Sequence, residues 1–164
     1  MKHEKITKLL DQFAIPYTLY EHKPVFTTEE GAELRKTIPG AHSKNLFVKS
    51  KKGYFLISVL DHKRVDLKAF DKQYDTGRLS FCNEQELLTL LGITPGSVTP
   101  YGLITERTIP ITFFLDEDML QNDTINFHPL QNDMTLNLTA ESFLKFLKKI
   151  NNEPRIIMIP TLLH

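Results

Sequence analysis

Ile6, Leu9, Leu10 and Phe13 recur at three- and four-residue spacing, which predicts a short amphipathic helix over residues 4–13 that stops before Pro16. A strand is expected next, over residues 17–21. Thr27 with Glu30 three positions on has the form of a capping box and opens a helix through Leu34, which must end before the Pro39-Gly40 turn. Leu46, Phe47 and Val48 make a compact apolar strand, residues 49–53 a turn and residues 54–60 a β-rich run, together a hairpin. Asp66 caps a helix through Phe70, and residues 79–81 are strand-like. Asn83 with Glu86 forms a second capping box before Leu87, Leu88, Leu90 and Leu91, with Gly92 as the stop.

Pro95, Gly96 and Pro100 then interrupt regular structure. Residues 109–115, 124–127 and 135–138 read as strands, the first two separated by an acidic turn around 116–118. Thr139 opens the last helix, with an apolar stripe of Phe143, Leu144, Phe146, Leu147 and Ile150, and residues 155–159 close as a strand. Strands and helices alternate irregularly, without the repeated rhythm of a doubly wound sheet, so the expected fold is mixed α/β around a largely mixed or antiparallel sheet. No repeat or Gly/Ser-rich linker marks a boundary, and residues 1–164 are read as one domain.

Composition acts mainly by exclusion. A hydrophobic fraction of 41% and a charged fraction of 24% are those of an ordinary globular chain. The formal net charge of zero provides no global field for nucleic acid, so a polyanion must be held at one end or by a local patch. Cys82 is the only cysteine and permits no internal disulfide, and the charged start of the chain lacks a signal-peptide pattern; a cytoplasmic location is expected. No apolar run approaches the roughly 20 residues of a membrane span.

The phosphate loop, the dinucleotide fingerprint and the zinc-binding His-Glu-x-x-His helix are absent, and the six histidines are scattered, so no metal or other cofactor is expected. Cys82 beside Phe81 reads as a small buried thiol, and neither Ser43 nor Ser97 has the context of a serine nucleophile. Three segments remain. Gly40-Ala41-His42-Ser43-Lys44-Asn45-Leu46-Phe47 delivers Lys44 to the entrance of a strand, where it is either a surface lysine or a cation at the lip of the core, poised against a phosphate or carbonyl oxygen. Gly96-Ser97-Val98-Thr99-Pro100-Tyr101-Gly102 is either a tight connection or a loop whose backbone approaches a ligand. In Asn126-Phe127-His128-Pro129-Leu130 an imidazole follows a strand, as a structural hydrogen-bonder or a site residue.

The order and wording of these segments, together with Glu21-His22-Lys23-Pro24-Val25-Phe26-Thr27, Val65-Asp66-Leu67-Lys68 and Gly77-Arg78-Leu79-Ser80-Phe81, resemble the bacterial stand-alone prolyl-tRNA editing family, the alanyl-tRNA(Pro) deacylases. These are relatives of the editing domain of prolyl-tRNA synthetase, in the YbaK/ProX superfamily. Lys44-Asn45 resembles the alanine-specific branch, where other branches tend to have Lys-Thr. The resemblance implies a mixed α/β domain around a curved sheet. It implies that Lys44 is the essential basic residue, that Asn45 and His128 shape the substrate site, and that Gly96, Ser97, Val98, Thr99 and Pro100 form the family's Gly-x-x-x-Pro loop. The chain departs from the pattern at Lys23 and over residues 131–135, which touches pocket detail rather than reaction class.

The expected activity is hydrolysis of the ester of Ala-tRNA(Pro), with proline refused by pocket size. A deacylase for cysteine or serine on tRNA, or a non-catalytic module that binds tRNA ends, are the alternatives. Lys44 is read as an electrostatic anchor rather than a nucleophile. Phe26, Leu46, Val98 and Tyr101 are candidate pocket walls, each equally readable as core. Lys49, Lys51 and Lys52, with Lys63 and Arg64, make two small basic turns for acceptor-stem phosphates or for solvent. The partners implied are the acceptor end of tRNA(Pro), with prolyl-tRNA synthetase or elongation factor assisting, and neither a membrane nor DNA.

Overall fold

The computed structural model describes residues 2–25 and 28–162. The expected capping box at Thr27 therefore lies outside the described residues. The elements are α1 Glu4–Gln12, β1 Thr18–Glu21, α2 Thr28–Thr37, β2 Ala41–Ser50, β3 Gly53–Leu60, α3 Leu67–Tyr74, β4 Ser80–Phe81, α4 Glu84–Leu91, β5 Ile111–Asp116, β6 Thr124–Phe127, β7 Met134–Thr139, α5 Ala140–Lys149 and β8 Arg155–Ile157. Short 3-10 helices span Pro100–Ile104 and Glu117–Gln121, the second standing where the acidic turn was expected.

Helix ends follow local chemistry. Asp66 accepts from Ala69 N at the start of α3, and Asn83 and Glu86 complete their reciprocal box at the start of α4. Gly92 ends α4 in the left-handed conformation, and Thr139 caps α5 through Ser142 N.

The strands form one eight-stranded mixed sheet, ordered β1-β7-β6-β2-β3-β5-β8, with β4 paired to the far end of β2. The β1–β7, β6–β7, β2–β3 and β2–β4 pairings are antiparallel, whereas β2–β6, β3–β5 and β5–β8 are parallel. Alternation along β3 and β5 sends apolar side chains to both faces. Leu56, Phe113 and Leu115 join α1, α4 and α5 in the larger core, while Phe55, Ile57, Val59 and Phe114 pack with Phe70 of α3 in a smaller one. On α4, Leu87, Leu90 and Leu91 are buried, while Leu88 is 53% exposed.

The long central strand is the main departure from expectation. β2 begins at Ala41, five residues before the apolar triplet that announced it, so Lys44 lies inside the strand and pairs with Val59 of β3. β2 pairs with β6 only at Ala41↔Ile125 and His42↔Asn126, after which the two parallel strands part. That seam positions the site.

Candidate active site

A cleft of about 510 Å³ opens at the seam. His42, Ser43 and Lys44 of β2 line it with Asn126 and Phe127 of β6, His128, and Thr135 of β7. Asp61 just past β3, Val25, and Gly31, Leu34 and Arg35 of α2 complete it. The last three recur at helical spacing and so present one face of α2 to the cleft.

The seam is held by amides. Asn126 Nδ2 donates to the carbonyls of Pro39 (2.9 Å) and Ala41 (3.1 Å), and Asn137 Nδ2 donates to Pro39 O (3.0 Å) and to Asn126 Oδ1 (2.9 Å). Both amides are buried, where an unpaired polar group is costly, so they fix the turn that launches β2. Gly40 sits there at φ +94°, and a Cβ on it would lie 2.1 Å from Thr124 Oγ1. Only glycine fits the turn. Just beyond, Ser43 Oγ donates to Asn126 O at 2.8 Å, a side-chain bond bridging the strands where their pairing ends.

Lys44 Nζ donates to the carbonyl of Lys63 at 2.6 Å, a neutral acceptor, and among the described residues no carboxylate forms an ion pair with it. Lys63 is in turn bound by Asp116 (2.7 Å) and Asp118 (2.6 Å). Burial alone would lower the Lys63 ammonium; its hydrogen bonds to the two aspartates outweigh that and hold its pKa above the ordinary lysine value.

His128 Nδ1 lies 2.8 Å from the carbonyl of Met134. A carbonyl can only accept, so Nδ1 carries the hydrogen and the neutral ring leaves Nε2 as an acceptor. Burial lowers the pKa of this imidazole; the Met134 bond opposes the shift, and His22 and His42 add to it. By the same reasoning His22 donates from Nδ1 to Lys23 O at 2.8 Å, and its Nε2 is hydrogen-bonded to the Thr135 hydroxyl at 2.8 Å. His22 and His128 rings stand 6.1 Å apart. At the opposite wall Arg35 Nη1 meets Asp61 Oδ2 at 2.6 Å.

Lys44 and His128 thus face one cleft, whereas Asn45 and residues 96–100 do not line it. Asn45 donates to Ser43 Oγ at 3.2 Å and accepts from Ser58 Oγ, which places it behind the wall. Gly96 is exposed, at φ +88°, whereas Ser97, Thr99 and Pro100 turn inward, Thr99 capping the first 3-10 helix; Val98 packs on the larger core. Of the candidate pocket walls, Leu46 and Val98 pack against core clusters and Tyr101 is wholly buried, with ring centroids 5.5–6.2 Å from Phe127, Phe143 and Phe146. Phe26 lies outside the described residues. The basic turns are partly spoken for, since Lys49 pairs with Glu86, Lys52 with Asp75 and Lys63 with its aspartates.

Arg35, Asp61 and Thr135 were not singled out from the sequence. Their partners lie 26 or more residues away, so no local motif marks them. Among the described residues, no group of three or more His, Cys, Asp or Glu side chains is arranged to hold a metal ion, and no helix is long and apolar enough to cross a membrane.

Known proteins share this arrangement of chain. The "Prolyl-tRNA synthetase associated domain-containing protein 1" of Xenopus laevis is 36% identical over 94% of this chain and 95% of its own length. The "Prolyl-tRNA editing protein ProX" of Acetoanaerobium sticklandii is 31% identical over 87% of this chain and 88% of its own. Relatives in animals extend the resemblance beyond the bacterial proteins it was first drawn to. The crystal structure of a candidate trans-editing enzyme for prolyl tRNA synthetase superposes with a TM-score of 0.74 at 19% identity, over 97% of this chain and 96% of that one, a likeness of fold. A model of the aminoacyl-tRNA editing domain matches residues 22–146, which include every residue lining the cleft, and the chain belongs to that family.

Proposed function

We propose that this protein is a trans-editing deacylase that hydrolyses the ester joining alanine to the terminal adenosine of tRNA(Pro). The observation that carries the reading is that Lys44 and His128, the latter with its Nδ1 bound to a main-chain carbonyl, both line one cleft of small-ligand size. The relatives' names, with their link to prolyl-tRNA editing and prolyl-tRNA synthetase, support the choice of tRNA.

An aminoacyl ester is already activated, so positioning of water and stabilisation of the developing oxyanion suffice without a covalent intermediate. Water attacks the carbonyl carbon, the bond to the ribose oxygen breaks, and a proton passes to that oxygen, releasing alanine and the free 3′ end. Lys44 supplies positive charge to the ester oxygen or the terminal phosphate. His128 offers Nε2 to the attacking water or to the 2′-hydroxyl. Asn45 acts through Ser43, whose position it fixes from behind. The loop containing Gly96, Ser97, Val98, Thr99 and Pro100 stands outside the acyl pocket and meets the tRNA end beyond it. Phe26 belongs to the proposed substrate site by the resemblance.

Size gives selectivity. One methylene of fit is worth only about 1–3 kcal/mol, but a pocket shaped for a methyl group can refuse the proline ring outright. A panel of alanyl-, prolyl-, cysteinyl- and seryl-tRNA(Pro) tests the assignment. Turnover of the alanyl ester with sparing of the prolyl ester is the expected result. Preference for cysteine or serine would move the substrate, and binding without turnover of any ester would make the chain a tRNA-end-binding module.

A further inference from the structure

Asp61 is the only carboxylate among the described residues that line the cleft, which also holds Lys44 and Arg35. Its backbone is fixed, since its N–H donates to His42 O at 2.9 Å, and this sets the side chain beside the β2 segment that carries Lys44. The carboxylate is 22% exposed and its present partner, Arg35, is 42% exposed on a helix with no buried side chain among the described residues. An ion pair of that exposure adds little to stability, so the pair is poorly explained as a structural clamp.

An aminoacyl ester brings its own charges. The α-ammonium is one carbon away from the scissile carbonyl, and a phosphodiester lies on the far side of the ribose. A cation entering beside Lys44 and Arg35 is repelled unless an anion receives it. The geometry points to Asp61 as the subsite for the α-ammonium of the aminoacyl group, with Arg35 released from it toward the phosphodiester. The Arg35–Asp61 pair thus holds, within the cleft, the two charges the substrate replaces. This rests on the deacylase reading for the nature of the ligand, and it makes the unblocked amine a condition of recognition.

The test compares alanyl-tRNA(Pro) with N-acetylalanyl-tRNA(Pro) for the wild type, Asp61→Asn and Asp61→Glu. The same preparations are titrated with an amide-linked 3′-alanylamino adenosine and its N-acetyl form, which report binding without hydrolysis. Loss of a charge-assisted contact predicts that Asp61→Asn lowers kcat/KM for the free amine about 10- to 100-fold, leaves the N-acetyl ester unchanged and abolishes the binding preference for the amine. Asp61→Glu should restore part of both. Equal handling of the two esters and the two analogues by the wild type overturns the subsite, as does a preference that survives in Asp61→Asn, or an equal loss on both ligands in a variant of unchanged melting temperature. Absence of hydrolysis together with an Asp61-dependent preference for the amine analogue would instead sink the deacylase reading and leave the subsite standing.

Discussion

Lys44 hands a hydrogen from its ammonium to the main-chain carbonyl of Lys63, 2.6 Å away, so the cation of the cleft is oriented by the segment that follows β3. Its charge remains for a ligand because its partner is a dipole. Lys44→Ala should therefore lower deacylation by at least about 100-fold, the scale of losing an electrostatic donor from a reaction site, with little change in melting temperature. Full turnover in a folded Lys44→Ala protein would remove it from the mechanism.

Lys63 has a different task. Its ammonium neutralises Asp116, whose side chain is wholly buried. Lys63→Met leaves that carboxylate without its cation, a change that typically costs about 3–5 kcal/mol. Urea unfolding should show a loss of this order, and restoration by Asp116→Asn in the double variant would assign it to the stranded charge.

His128 gives the stability a pH dependence. Its folded pKa is below the ordinary value of 6.5, so the unfolded chain binds this proton more readily. The contribution is fully present above about pH 6.5 and is lost as pH falls through that value toward the folded pKa. Thermal unfolding between pH 5 and 8 should show this slope in the wild type and less of it in His128→Asn. Deacylation should decline over the same acid limb, because the protonated ring no longer offers Nε2 as an acceptor.

Gly40 and Gly53 make a controlled comparison. Alanine at 40 meets Thr124 Oγ1 at 2.1 Å and its carbonyl oxygen at 2.5 Å, while a Cβ at 53 meets nothing within 4 Å; both backbones have positive φ. Gly40→Ala should destabilise by more than about 2 kcal/mol and Gly53→Ala by about 1 kcal/mol, measured by urea unfolding. Equal effects would mean that the turn before β2 relaxes freely.

Burial, with the nearby Glu86 charge, pushes the Cys82 thiol up to about 12. Thiolate is then so scarce at pH 8 that iodoacetamide should label it on the order of a thousandfold more slowly than a free cysteine. Cys82→Ala should retain deacylation within about twofold. Rapid labelling, or loss of turnover in a folded Cys82→Ala protein, would reopen covalent catalysis through this residue.

The parts legible in the sequence were those decided by neighbours along the chain. Asn83 with Glu86, Asp66 and Thr139 cap helices because each reaches a backbone N–H within three residues. β2 was truncated in expectation because His42, Ser43, Lys44 and Asn45 show no apolar alternation; they are strand only through pairing with β3 and β6. The site divides in the same way. Lys44 and His128 could be marked by motif, but the contact of Arg35 with Asp61 and of His22 with Thr135 exists only once distant elements meet. In the loop at 96–100 it was burial that could not be read from polar residue types, since its Ser and Thr side chains face inward, with Thr99 spent on capping.

The parting of β2 and β6 after two residue pairs has an evolutionary consequence. The frame of the cleft is main chain, pinned by Asn126 and Asn137 at the turn, whereas the surfaces a substrate meets are side chains added to that frame. Under the proposed function, replacements at the partly exposed Val25 or Leu34 retune which acyl group is admitted without shifting the strand register. A lineage that duplicates such a gene can therefore wander among substrates by point mutation while its scaffold stands still.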